Sequence, residues 1–110
     1  MKVNPTTITD VKVITPEFFE DDRGFFYESF NQKKFNEAIG LKIIFVQDNE
    51  SKSKKGVLRG MHYQEQPFSQ GKLIHVIQGE IFDVALDLRK DSPFYGEWVS
   101  EILSSDNKKQ

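Results

Sequence analysis

Gly56-Val57-Leu58-Arg59-Gly60-Met61-His62-Tyr63-Gln64, followed after a short turn by Gln70-Gly71-Lys72-Leu73, is the stretch on which the fold reading turns. Apolar and polar residues alternate between glycines, the pattern of a half-buried strand bounded by bends. Strict pleating puts Leu58, Gly60, His62 and Gln64 on one face, with Val57, Arg59, Met61 and Tyr63 on the other. Arg59 and His62 then share a face only where a bulge intervenes, and the glycines make a bulge feasible.

Working outward, the same short spacing recurs. Upstream, Asp48–Gly56 reads as a polar loop and Leu41–Gln47 as a strand. Residues 32–39 are the one helix candidate: Asn31 caps it, Phe35 and Ile39 share a face, and Gly40 stops it. Phe25–Phe30 reads as an aromatic strand, preceded by an acidic turn over Phe18–Gly24 and by a first strand at Val11–Ile14. Downstream, residues 65–71 form a turn, and Lys72–Ile77, Glu80–Leu88 and Glu97–Leu103 are three further strands. About seven short strands predict an all-β jelly-roll barrel or sandwich with one short helix. The chain closes on a polar turn, Ser104–Gln110, so the expected barrel is cut short at its C-terminus.

Composition narrows the function classes. A chain of 110 residues suits a single domain, taken as residues 1–110. A net charge of -2 gives no field that would draw in nucleic acid or an anionic membrane. There is no cysteine, which excludes disulfides and cysteine-ligated zinc. The N-terminus lacks an apolar run of signal-peptide length, so the expected location is the cytoplasm. Ten phenylalanines suit a sheet core, or an interface between subunits.

Several residues admit two readings. His62 is a structural strand histidine or a general base. Lys72 is a solvated strand start, or an ammonium that stabilises an oxyanion. Arg23 and Arg59 form surface ion pairs, or grip phosphate through their forked donors. Gln47, Asp48 and Asn49 make Asx turns, or meet sugar hydroxyls and a base edge. Metal binding is not expected: His62 and His75 are the only histidines, and a set with Glu80 and Asp83 matches poorly. Walker and dinucleotide phosphate loops are absent.

Taken together, Asp22–Glu28, Phe45–Asn49, Gly56–Gln64, Gly71–Leu73 and Gly79–Arg89 resemble, in order and along essentially the whole chain, the dTDP-4-dehydrorhamnose 3,5-epimerases. The resemblance implies a cupin that needs neither metal nor other cofactor and dimerises, with the N-terminal strand region 10–30 exchanged between subunits. It implies epimerisation of dTDP-4-dehydro-6-deoxyglucose at C3 and C5, a step toward dTDP-rhamnose and cell-surface polysaccharide such as lipopolysaccharide. His62 would be the base and Lys72 would face the ketone oxygen. Arg23, Phe26 and Glu28 would reach the nucleotide, and Gln47, Asp48, Asn49, Arg59 and Lys72 would complete the substrate contacts. The family's second histidine, acid tyrosine and orienting aspartate have no counterpart among these residues; Tyr63 and Tyr95 lie outside the acid motif. Met61 and His75 stand where leucine and arginine are usual. Two other readings remain: a non-catalytic nucleotide-sugar-binding module and a related 3,4-ketoisomerase.

Overall fold

The computed structural model describes all residues from Met1 to Gln110. Strands β1 (Lys2–Pro5) and β2 (Lys12–Thr15) pair antiparallel, with Val3 opposite Ile14. Strands β3 (Phe18–Asp21) and β4 (Gly24–Tyr27) form a tight hairpin with Phe19 opposite Phe26. Helix α1 (Gln32–Ile39) follows. The longest ladder joins β5 (Glu80–Leu86) to β6 (Trp98–Ser104), from Glu80 opposite Ser104 to Leu86 opposite Trp98. The architecture is thus mostly sheet with one short helix, laid out as three two-stranded ribbons.

Two sequence expectations need correction. The strands expected at 41–47, 57–63 and 72–77 carry no ladder. Alternation reports which face a strand would bury, whereas a ladder needs a second backbone alongside to satisfy its N–H and C=O groups. None of the ribbons offers those three runs a partner. The acidic turn expected over 18–24 is instead mostly strand. Only Asp22 and Arg23 turn the chain, because Asp21 Oδ1 accepts a bond from the Arg23 amide at 2.9 Å and Gly24 takes φ +123°. That positive φ is one a side chain would strain.

Helix α1 forms as its sequence dictates. Asn31 caps it, its side chain accepting from the Lys34 amide at 3.1 Å, and Gly40 ends it at φ 72°. Its buried face presents Phe35, whose ring lies 5.5 Å from Phe30 and 5.4 Å from Phe45 between centroids. Phe30 and Phe45 themselves meet edge-on at 5.6 Å, so the three rings close a cluster in the geometry aromatic pairs prefer. The Asn36 carboxamide oxygen accepts from the Ile43 amide at 3.1 Å, which holds the segment after the helix against it.

Two polar ties join distant parts of the chain. Ile14 and Gln110 exchange both backbone bonds at 2.8 Å, and the Gln110 side chain donates to the Ser29 carbonyl at 2.8 Å. The expected polar C-terminal turn therefore ends in a buried residue bonded to β2. In the second tie, Asp87, its side chain 2% exposed, accepts from Arg89 Nη2 at 2.7 Å and from the Ser92 hydroxyl at 2.6 Å. Arg89 also reaches Asp10, between β1 and β2. The core these ties enclose is small, with eight of 110 residues buried. The radius of gyration, 15.1 Å, exceeds the roughly 13 Å of a compact chain this long.

With so few buried side chains, each should matter. Phe35→Ala should remove about 3–5 kcal/mol, read as a lower urea midpoint. The Arg89 guanidinium, then the Ser92 hydroxyl, hold the Asp87 carboxyl well below the usual carboxylate range. A depressed folded value means the unfolded chain binds more protons at acid pH. The stabilisation is complete above the unfolded value of about 3.9 and is lost as pH falls through it toward the folded one. The melting temperature should accordingly drop below about pH 4, and Asp87→Asn should flatten that drop while lowering stability at neutral pH.

Candidate functional site

The chemistry-bearing residues are carried on two regions. Arg23, Phe26 and Glu28 belong to the β3–β4 hairpin and its exit toward α1. Gln47, Asp48, Asn49, Arg59, His62 and Lys72 lie in the connection between α1 and β5. The structure describes partners for most of them.

At the hairpin tip Arg23 is clasped by Asp21, with Nε at 3.1 Å from Oδ2 and a second link through Nη2. This bond lowers the Asp21 carboxyl and raises the Arg23 guanidinium, and both side chains remain open to solvent. A groove of about 330 Å³ opens here, walled by Phe19, Asp21, Arg23, Phe25 and Phe26. Phe19 and Phe26 are cross-strand neighbours on one face, 62% and 73% exposed, which presents flat apolar surface beside a cation. On the opposite face Lys108 Nζ sits 3.8 Å above the Phe25 ring.

Glu28 is held from the helix. Lys34 Nζ lies 2.9 Å from its Oε1, and Asn31 donates to Oε2 at 3.2 Å. Lys34 first, then Asn31, hold its carboxyl below the ordinary value. Asn31 therefore serves both the α1 cap and Glu28. The cap was legible in the sequence; the bond to Glu28 was not, since only the path of residues 28–31 brings the two together.

In the long connection, Gln47 donates to the Asn49 side chain at 3.2 Å. Arg59 Nε donates to the Ser53 hydroxyl at 2.9 Å and Nη2 reaches the Lys52 carbonyl at 3.4 Å. Ser53 carried no sequence signal. Gly60 adopts φ +118°, outside the strand region, so regular pleating does not run from Arg59 to His62. A Cβ on Gly60 would lie 3.7 Å from the His62 nitrogen and 3.8 Å from Cδ2, ordinary contact. Backbone conformation, not space, is what calls for glycine there. His62 and Lys72 are both exposed, and neither side chain has a hydrogen-bond or ion-pair partner. His62, His75, Glu80 and Asp83 are not assembled, as no three histidine, aspartate or glutamate side chains converge in a metal-binding arrangement.

The fold and the residues it displays describe a mostly-sheet chain with one short helix that carries cations and amides on two exposed regions. Comparison with known proteins gives the family. The dTDP-4-dehydrorhamnose 3,5-epimerase family matches residues 5–110, and the chain belongs to it. It is 59% identical over 110 residues to the dTDP-4-dehydrorhamnose 3,5-epimerase of Shigella flexneri, covering all of this chain and 61% of that protein. The enzyme of the same name from Escherichia coli strain K12 is 51% identical over 110 residues, with 60% of its length covered.

Solved structures agree. A Legionella pneumophila dTDP-6-deoxy-D-glucose-3,5-epimerase in complex with dTDP-4-keto-L-rhamnose superposes with a TM-score of 0.94 at 53% identity, over 99% of this chain and 57% of that one. The Bacillus anthracis dTDP-4-dehydrorhamnose 3,5-epimerase with TDP and PPi bound gives 0.93 at 51% identity, over 99% of this chain and 62% of that one. The chain spans about 60% of the length of the curated relatives it matches. The jelly-roll expectation thus holds for the path of the backbone, and the ladders are realised in the three ribbons.

Lys34→Ala should raise the Glu28 carboxyl toward the ordinary value of about 4.3, measured by carboxyl-carbon NMR titration. Unchanged titration would show that Lys34 does not govern Glu28.

Proposed function

We propose that this chain carries the base-and-cation half of an epimerase acting at C3 and C5 of dTDP-4-dehydro-6-deoxyglucose, toward dTDP-rhamnose. The observation that carries the proposal is the family match over residues 5–110, a range that includes both His62 and Lys72. Solved relatives add support: one is bound to a dTDP-4-keto sugar and another to TDP and PPi.

In this mechanism the C4 ketone acidifies the hydrogens on both neighbouring carbons. His62 takes the proton from C5, and in a second round from C3, and the bonding electrons move onto the C4 oxygen as an enolate. The Lys72 ammonium faces that oxygen and stabilises the charge where it develops. Reprotonation on the opposite face, by a proton that comes ultimately from water, inverts each carbon and restores the ketone, and His62 gives its own proton up to solvent before the second round. The electrons return to the carbon they left, so the reaction needs no redox partner and the proposal includes no cofactor. Arg59 grips the pyrophosphate, whose double charge suits a guanidinium fork. Gln47, Asp48 and Asn49 meet the sugar. Arg23, Phe26 and Glu28 meet the nucleotide, and the proposal places them in the site of a second copy through exchange of the region 10–30 in a homodimer. A cytoplasmic location accompanies this reading.

The test is deuterium wash-in from heavy water into dTDP-4-dehydro-6-deoxyglucose, followed by NMR. Exchange at C3 and C5 should occur with the native chain and fall at least about 100-fold with His62→Ala. Binding without exchange would leave a nucleotide-sugar-binding module. Appearance of the ketone at C3 would make it a 3,4-ketoisomerase.

A further inference from the structure

Arg59 offers five N–H donors, and the loop before it engages two of them. Nε donates to the Ser53 hydroxyl at 2.9 Å, and Nη2 to the Lys52 carbonyl at 3.4 Å. The single Nε hydrogen points along the edge that Nε shares with Nη2, so its bond to Ser53 turns that edge toward the loop. The donors left for a ligand are the two on Nη1 and the second on Nη2, the end-on fork. We infer that Ser53 is a positioning residue, which holds the Nε edge of Arg59 against the loop and presents the Nη1–Nη2 fork to the pyrophosphate of the ligand. The inference rests on the reading above that Arg59 binds pyrophosphate.

Two features favour a positioning role over a merely structural one. Ser53 and Arg59 are both exposed and lie outside every ladder, so their bond adds little to the fold. An arginine free in solvent samples many rotamers, and fixing one before the ligand arrives removes that ordering cost from binding. Lys52, Lys54 and Lys55 stand in the same loop, so fixing Arg59 places its fork within an already cationic stretch.

The test uses dTDP as the probe, with affinity measured calorimetrically at constant ionic strength for the native chain, Ser53→Ala, Ser53→Thr, Arg59→Ala and the Ser53→Ala/Arg59→Ala double variant. Ser53→Ala should weaken binding about 3–10-fold with an unchanged melting temperature. Ser53→Thr, which keeps the hydroxyl, should bind as the native chain does. The double variant should be no weaker than Arg59→Ala alone, because Ser53 acts only through Arg59. Native-like affinity in Ser53→Ala, or additive losses in the double variant, would overturn the inference while leaving the pyrophosphate reading intact. An Arg59→Ala variant that binds dTDP normally would instead defeat the reading of Arg59 itself. A ligand-free measurement reads the contact directly. The Arg59 Nε–H NMR signal should exchange slowly with water in the native chain and Ser53→Thr, and rapidly in Ser53→Ala. Equal exchange in all three would overturn the inference whatever the binding data show.

Discussion

Backbone pairing is the constraint on which everything else rests. A strand needs a second backbone to receive its N–H and C=O groups, and in this chain only three ribbons supply one internally. Each ribbon is too narrow to bury a face by itself. Their mutual arrangement therefore depends on a few bonds between ribbons, chiefly the reciprocal Ile14–Gln110 pair, with the exposed Arg89–Asp10 contact beside it. Arg89 is itself fixed locally by Asp87, a carboxylate almost inaccessible to solvent that accepts from its guanidinium, from its amide at 2.9 Å and from the Ser92 hydroxyl. Losing one partner would leave a charge desolvated and unmatched, a costlier outcome than never having buried it. Exposed pairs such as Arg23–Asp21 carry no such penalty and contribute far less to the fold.

What lies between the ribbons follows from the same constraint. Residues 41–77 run from α1 to β5 without a ladder, and the first part is held by Phe45 against Phe30 and Phe35. Beyond that anchor the hydrophobic side chains face outward: Val46 is 91% and Leu58 93% exposed. Phe82, Trp98 and Ile102 are exposed as well, and the β5–β6 register places them on one face.

These particulars explain what the sequence could and could not disclose. Helix α1 was legible because its signals are local: a capping asparagine, an i, i+4 apolar pair and a terminating glycine. The two strands of the β5–β6 ribbon were legible as apolar-rich runs separated by polar turn residues, but their pairing with each other was not. The strands at 41–47, 57–63 and 72–77 were read from local apolar pattern and spacing, which are blind to whether a partner backbone lies alongside. The β3 strand was hidden by its acidic content, since Glu20 and Asp21 look like turn residues until the Asp21 side chain is seen organising the turn beside it. His62, Lys72, Arg23, Arg59 and Gln47–Asn49 stood out by their chemistry with two readings each, and the family resemblance chose between the readings and added Phe26 and Glu28. Their local partners, Ser53 for Arg59 and Lys34 for Glu28, are contacts of geometry, to which no motif points.

The partners also divide the site into two kinds of residue. Arg23, Glu28 and Arg59 each enter the structure already engaged, by Asp21, by Lys34 and Asn31, and by Ser53. Each keeps part of its hydrogen-bonding capacity free, so under the proposed reading a nucleotide ligand would meet groups that are already paired and partly balanced in charge. Such groups suit recognition, where order before binding raises affinity. His62 and Lys72 have no partner of this kind. In the proposed reaction both act on the reacting atoms, His62 on a carbon-bound proton and Lys72 on the charge that develops at the ketone oxygen.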